Sequence, residues 1–278
     1  RPIYMRDNRT LMPVSLATVP EPEPRRFVIE GLIPEDDTSI LYGDGGQGKS
    51  LLALYFGTCV ATGTAVLDQK VERSNVLYLD WELTEEEQSR RIYKLARGMN
   101  LTGPPDGLDY LRLDTPLMQA IPQLKALIRE RHYGLIIVDS LGPACGGDPE
   151  AARFVIPLFN SIRSLGTTSL LIDHQSRLQQ GQSYRNKDPF GSIYKKNLSR
   201  SAIQLHKVAE EEGRLALVLR HLKSNFTALR SDIYITIGFG ADRILIDKAN
   251  ASELASMGAE EHLDSTSAVL LSLRDRDR

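Results

Sequence analysis

The chain has 278 residues, 41% of them hydrophobic and 25% charged, and a formal net charge of −2. That is the balance of an ordinary globular protein with room for one α/β domain and extensions, and no apolar run approaches the ~20 residues of a membrane helix. So small a net charge exerts no long-range pull on polyanions, so any contact with nucleic acid has to come from local basic loops.

Two cysteines, Cys59 and Cys145, form neither a metal cluster nor a disulfide framework, which points to a reducing cytoplasm. The first residue is Arg1 and no charged-then-apolar leader follows, so the chain reads as a fragment rather than as a natural start.

Residues 1–26 carry five prolines, including Pro20-Glu-Pro-Glu-Pro24, and no sustained apolar period. They read as an extended linker or arm. From there strands and helices alternate. Strands are expected at Thr38–Tyr42, Asn75–Asp80, Asp109–Leu113, Gly134–Asp139 and Thr167–Asp173. Helices are expected at Lys49–Ala61, Thr84–Arg97, after Asp109–Leu113 (Leu117, Ile121, Leu124, Leu127 and Ile128 at helical spacing), and at Glu150–Leu165, bent at Pro157. Strands that are apolar throughout and joined by helices predict a parallel sheet covered on both faces. Four further strand-like runs, Ser201–Val208, Arg214–Leu222, Asp232–Ile237 and Arg243–Asp247, are linked by short turns and predict an antiparallel extension.

Directly after the first strand stands "LYGDGGQGKS", Leu41 to Ser50. It fits G-x-x-x-x-G-K-[ST] between a strand and a helix, the context a phosphate-binding loop requires. Gly43, Gly45, Gly46 and Gly48 free the backbone to adopt positive φ and turn N–H groups toward one anion, so the contact set is Gly43, Asp44, Gly45, Gly46, Gln47, Gly48, Lys49, Ser50 and Leu51. Lys49 is placed to meet the β and γ phosphates of ATP and Ser50 to ligate Mg²⁺.

In an open α/β sheet, chemistry gathers at the carboxyl ends of the strands. Asp139 closes an apolar run as a second Mg²⁺ group should. Glu82, just past a strand in "LYLDWE", is the candidate general base, with Asp80 as its rival and a helix cap as its bland alternative. Trp81 reads as packing. His174 follows the fifth strand, where an imidazole can contact the γ phosphate.

This constellation is similar to the RecA-like ATPase core, and within it resembles the plasmid- and phage-encoded hexameric replicative helicases of the RepA type, relatives of the DnaB group. The resemblance spans about Phe27 to Asp247 and rests on "RFVIEGLIPEDDTSILYGDGGQGKS", "VLYLDWE", "LIIVDSL", "LLIDHQSR", "FGSIYKKNLSR" and "LKSNF". It implies a catalytic arginine acting in trans, which falls on Arg200, with Lys223 near the same interface. The family's glycine after the aromatic is Thr227 here. Single-stranded DNA would be held by loops Leu141–Pro149 and Ser176–Pro189, the second carrying Arg177, Tyr184, Arg185 and Lys187.

The expectation is therefore a RecA-like α/β core at 27–249, an arm at 1–26 and a helical tail at 250–278 that starts a further, truncated domain such as a winged helix. It would serve as the ATP- and Mg²⁺-dependent motor of a hexameric ring on single-stranded DNA, without a membrane partner and with a primase or polymerase module as a conjectured upstream neighbour. A RecA-like switch for a protein partner and a recombination or repair filament are the competing readings.

Overall fold

The computed structural model describes residues 13–175 and 193–258. A short hairpin of β1 (Phe27–Ile29) and β2 (Ile33–Pro34) leads into β3 (Thr38–Gly43), whose six residues are all buried. Then follow α1 (Lys49–Thr62), β4 (Asn75–Asp80), α2 (Glu85–Gly98), β5 (Leu108–Arg112), α3 (Leu117–Arg131) and β6 (Tyr133–Asp139). The remainder comprises α4 (Leu141–Ala144), α5 (Ala152–Arg163), β7 (Thr168–His174), α6 (Ile193–Leu198), β8 (Ser201–Glu211), β9 (Arg214–Ser224), β10 (Ile233–Phe239), β11 (Ile244–Lys248) and α7 (Ala251–Ser256).

Among the described residues nine strands form one sheet in the order β11-β10-β9-β8-β3-β7-β6-β4-β5. The six from β8 to β5 are parallel, and β9, β10 and β11 add antiparallel to β8. The expected α/β class with an antiparallel extension is therefore the observed one. The first of the four late strands, β8, belongs to both parts: it runs parallel to β3 and opens the antiparallel set.

Helix α1 is apolar nearly all round and buried over twelve of its fourteen residues, as a helix enclosed on every side must be. It fills one face of the sheet with Leu95 of α2, against Leu41, Tyr78, Ile137, Ile172 and Leu205. The other face is covered by α3 and α5 through Leu124, Ile128, Leu158, Phe159 and Ile162. Helix α5 runs as one element through Pro157 and starts at Ala152, two residues later than expected. α7, opened by an Asn250–Glu253 capping box, packs Leu254 against Val218 and Tyr234 of β9 and β10. The hairpin β1–β2 and the short helices α4, α6 and α7 are too brief to show a period.

Residues 13–26 carry no strand or α-helix and are exposed. Residues 1–12, the basic segment 176–192 and the part of the expected helical tail from 259 onward lie outside the described residues. Among the described residues no helix is long and apolar enough to cross a membrane.

Helix α2 ends on β11 with almost nothing between them. A Cβ on Gly98 would lie 1.7 Å from the Ile244 carbonyl oxygen, and Arg97 Nε donates to the Asp242 carbonyl at 2.5 Å. In an open helix Gly→Ala gains about 1 kcal/mol. Here Gly98→Ala should instead cost roughly 1–3 kcal/mol through overpacking, read as a lower urea midpoint; a midpoint at or above wild type would mean that α2 and β11 are not in backbone contact.

Candidate active site

The loop between β3 and α1 does not use its glycines in the single way expected. Gly46 and Gly48 take left-handed φ of 72° and 82°. Gly43, still in the strand, is bare for another reason: a Cβ there would sit 2.3 Å from the Leu205 carbonyl oxygen of β8. No atom lies within 4 Å of a Cβ built on Gly45. Only two of the four glycines thus supply positive φ, and Gly43 serves sheet packing. Lys49 Nζ donates to the Asp44 carbonyl at 2.7 Å, laying the ammonium along the loop at the start of α1. Burial lowers its pKa, while Asp139, Asp173, Asp44 and Glu82 oppose that shift.

Parallel pairing brings the other groups to the same edge. Gly43 pairs with His174, and Asp80 with Asp139. Asp139 is buried and accepts the Tyr78 hydroxyl at 2.5 Å, and the same hydroxyl lies 3.3 Å from the Ser50 carbonyl. Tyr78 thus joins the end of β6 to the first turn of α1. Burial pushes the Asp139 carboxyl up to about 6, against hydrogen bonds from Tyr78 and Ser50 that favour its charged form. His174 projects at the end of β7, and partial burial together with the charge on Lys49 lowers its pKa.

The two rival carboxylates differ in what they touch. Asp80 is buried, and its Oδ1 accepts the backbone N–H groups of Glu82 and Leu83 at 2.7 and 3.1 Å, tying the turn after β4. Glu82 is exposed in the cleft, where its Oε1 accepts the Ser140 hydroxyl at 2.7 Å. Glu82 does not cap α2; Thr84 does, accepting from Glu87 N at 3.2 Å. Trp81 packs against the core beneath it and donates to the Thr115 carbonyl at 2.9 Å.

On the opposite face of β7, Asp173 meets Lys195 of α6 at 2.8 Å, both side chains almost wholly buried. Such a pair contributes little net stability, but loss of one partner strands a buried charge. The carboxyl end of α6 is held by Lys223, whose Nζ donates to the carbonyls of Lys196, Asn197 and Ser199 at 2.8, 2.9 and 2.6 Å. Arg200 follows, its N–H on the Thr38 carbonyl at 2.8 Å and its side chain 3.7 Å from Asp37. It stands at the amino end of β3, the end away from the phosphate loop. The turn at Thr227 needs no glycine: Ser224 Oγ accepts the N–H groups of Phe226 and Thr227 and pairs with the Thr227 hydroxyl at 3.0 Å.

A cleft of about 360 Å³ runs along this edge, with Gly46–Leu51, Glu82, Asp139, Ser140 and His174 on its walls. The structure therefore gathers Lys49, Ser50, Glu82, Asp139 and His174 in one place and leaves Arg200 and Lys223 elsewhere. Of the two loops expected to meet DNA, Leu141–Pro149 turns Leu141, Ala144 and Cys145 into the core, so only its outer residues face solvent. Arg177, Arg185 and Lys187 lie outside the described residues. Tyr78, Ser140 and the Asp173–Lys195 pair went unrecognised in the sequence. The signals that could have found them were a hydroxyl inside the apolar strand Asn75–Asp80 and an aspartate inside the apolar strand Thr168–His174, each of which needs a partner when buried.

The family model of an AAA domain matches residues 8–180, from the arm through β7, and no curated protein matches the chain. That span covers more than half of the sequence and contains the phosphate loop, Glu82, Asp139 and His174. The chain belongs to this AAA-domain family of P-loop ATPases.

Proposed function

We propose that the chain is the motor domain of a ring-forming DNA helicase, six subunits hydrolysing ATP at their boundaries and moving single-stranded DNA through the centre. The observation that carries this reading is the position of Arg200. Ser39 pairs with Ser201, so Arg200 is separated from Gly43 by the length of β3, about 16 Å at the rise of a strand. An arginine so placed can neutralise charge on a transferring phosphoryl group only in another subunit's site.

Within its own cleft, each residue has a part that its environment supports. The backbone N–H groups of 43–51 and the start of α1 cradle the phosphates of ATP, with Lys49 on the β and γ groups. Ser50 and Asp139 offer the hard oxygen donors that Mg²⁺ takes alongside substrate phosphates. When bound, Mg²⁺ supplies charge neutralisation on the phosphoryl oxygens. Glu82, exposed and steered by Ser140, accepts the proton of the attacking water, while Asp80 is committed to the turn. His174, its pKa lowered by burial and by the charge on Lys49, contacts the γ phosphate. Lys223, spent on the carbonyls of Lys196, Asn197 and Ser199, steadies Arg200; it would have to leave them to reach a neighbour itself.

The segment bearing Arg177, Arg185 and Lys187 starts beside the cleft, since Gln175 N donates to the Gly43 carbonyl at 3.0 Å. That adjacency supports its use on single-stranded DNA and a link between hydrolysis and movement. The test is the ATPase rate with and without single-stranded DNA. Stimulation supports the motor; a rate indifferent to DNA favours a switch acting on a protein partner. A primase or polymerase module is the partner such a motor would serve upstream.

Two variants separate the carboxylates. Glu82→Gln should lower kcat by roughly 100-fold or more while nucleotide binding persists. Asp80→Asn should instead lower stability by about 1.5–3 kcal/mol, the worth of hydrogen bonds to a charged group. Steady-state kinetics and urea unfolding on both variants read this directly, and the reverse pattern would exchange the two roles.

Arg200→Ala and Lys49→Ala should each be nearly inactive, because a finger of this kind is worth roughly 1,000-fold or more. Mixed and allowed to exchange subunits, they should regain part of the activity, since some boundaries then pair an intact site with an intact finger. A co-assembled mixture as inactive as its components would show that Arg200 does not act across the boundary.

A further inference from the structure

One wall of the cleft belongs to none of the phosphate-binding motifs. The antiparallel extension curls past the start of α1, so that Ile237 Cδ1 lies 3.3 Å from where a Cβ on Gly48 would stand. Alternation along β10 puts Ile233, Ile235 and Ile237 on this face, all buried against α1, and Phe239 is the next residue in the row. Its neighbours across the strands complete a shelf: Leu215 pairs with Ile237, and Ile244 pairs with Phe239. Leu215 and Ile244 are buried, whereas Phe239 is 46% exposed. All three line the same cleft as Lys49 and Glu82.

An aromatic ring left half bare at the end of an otherwise buried apolar row, beside a phosphate cradle, has the makings of a surface for a flat apolar group. The hairpin that carries it is fixed, with Phe239 N on the Gly213 carbonyl at 2.7 Å, Gly240 N on the Arg243 carbonyl at 2.9 Å, and Arg97 on Asp242. We infer that Phe239, with Leu215 and Ile244, is the platform on which the base of the bound nucleotide stacks. The inference rests on the proposed ATPase reading and narrows its substrate class. Phe239, Leu215 and Ile244 carry no hydrogen-bonding side-chain atom, so the shelf selects by ring area; Arg91 of α2, which lines the same cleft, is a donor alone and can be met by acceptor atoms of either purine. A purine is favoured over a pyrimidine, and adenine and guanine are served nearly alike. A site that discriminates strongly between two bases needs polar groups to leave unpaired with the wrong one, and the shelf has none.

The test measures binding of ATP, GTP, CTP and inorganic tripolyphosphate to the chain with Mg²⁺. Wild type should bind ATP and GTP within a few-fold of each other, both more tightly than CTP, and all more tightly than tripolyphosphate. Phe239→Ala should weaken ATP and GTP by roughly 5-fold to 100-fold, the range for base stacking on an aromatic, while tripolyphosphate binding falls far less. Phe239→Trp, which keeps a ring, should restore the preference for purines that the alanine variant loses. ATP binding no tighter than tripolyphosphate, equal losses of both in Phe239→Ala, or a preference for ATP over GTP beyond about 100-fold would each overturn the inference and leave the phosphate cradle standing. Lys49→Ala, which removes phosphate contact, should weaken all four ligands. A wild-type chain that binds neither ATP nor tripolyphosphate would remove the ATPase reading, and the shelf with it.

Discussion

Parallel pairing of β3, β7, β6 and β4 is the constraint on which the site depends. Because these strands run the same way and in near register, their last residues arrive at one edge of the sheet, which places Gly43 beside His174 and Asp80 beside Asp139. The groups then come close enough to perturb one another. Lys49, its ammonium on the Asp44 carbonyl, is lowered by burial and held up by four carboxylates around it, and Asp139 is raised by burial and answered by two hydroxyls. Neither side of that balance would be tolerated alone, since a buried charge without partners costs far more than a paired one.

Much of this was legible in the sequence. The run Asn75–Asp80 is a strand from end to end, the runs at Thr38 and Gly134 each differ from β3 and β6 by one residue, and α1 begins at Lys49 as expected. These strands are buried on both faces, so their apolar letters are continuous and their ends fall where the first polar or glycine residue stands. The phosphate loop was legible because a glycine-rich backbone closed by one lysine, set between strand and helix, suits an anion and little else. What stayed hidden depends on partners distant in sequence. Asp80 and Glu82 look alike as letters, and only the fold reveals that one carboxylate is occupied by backbone N–H groups and the other by Ser140. Lys195 sits in a short basic run that reads as a surface, yet it is fully buried against Asp173. Lys223 reads as a second cation for the neighbouring site, yet three carbonyls at the end of α6 hold its ammonium.

The far edge of the sheet has a charge arrangement of its own. Asp37 meets Arg200 on one side and Arg25 of the arm on the other, and the Arg25 guanidinium lies 4.1 Å over the Phe226 ring. These groups are partly exposed, and such pairs are worth about 0–1 kcal/mol. The contact therefore orients Arg200 without locking it, in contrast to the buried Asp173–Lys195 pair, which anchors the helix just before it. The arm and the arginine share one weak anion at the end of the molecule opposite the cleft.

The joint between α2 and β11 has a mechanical meaning. Gly98 meets the Ile244 carbonyl with no side chain between them, and α2 starts three residues past Glu82. Two backbones already touching have no compliant layer to absorb a push, and interiors packed this closely transmit displacement instead of damping it. Helix α2 therefore behaves as a strut whose ends are the turn that aims Glu82 and the hairpin that carries Phe239. A displacement at one end is therefore expected to reach the other, which couples the two walls of the cleft.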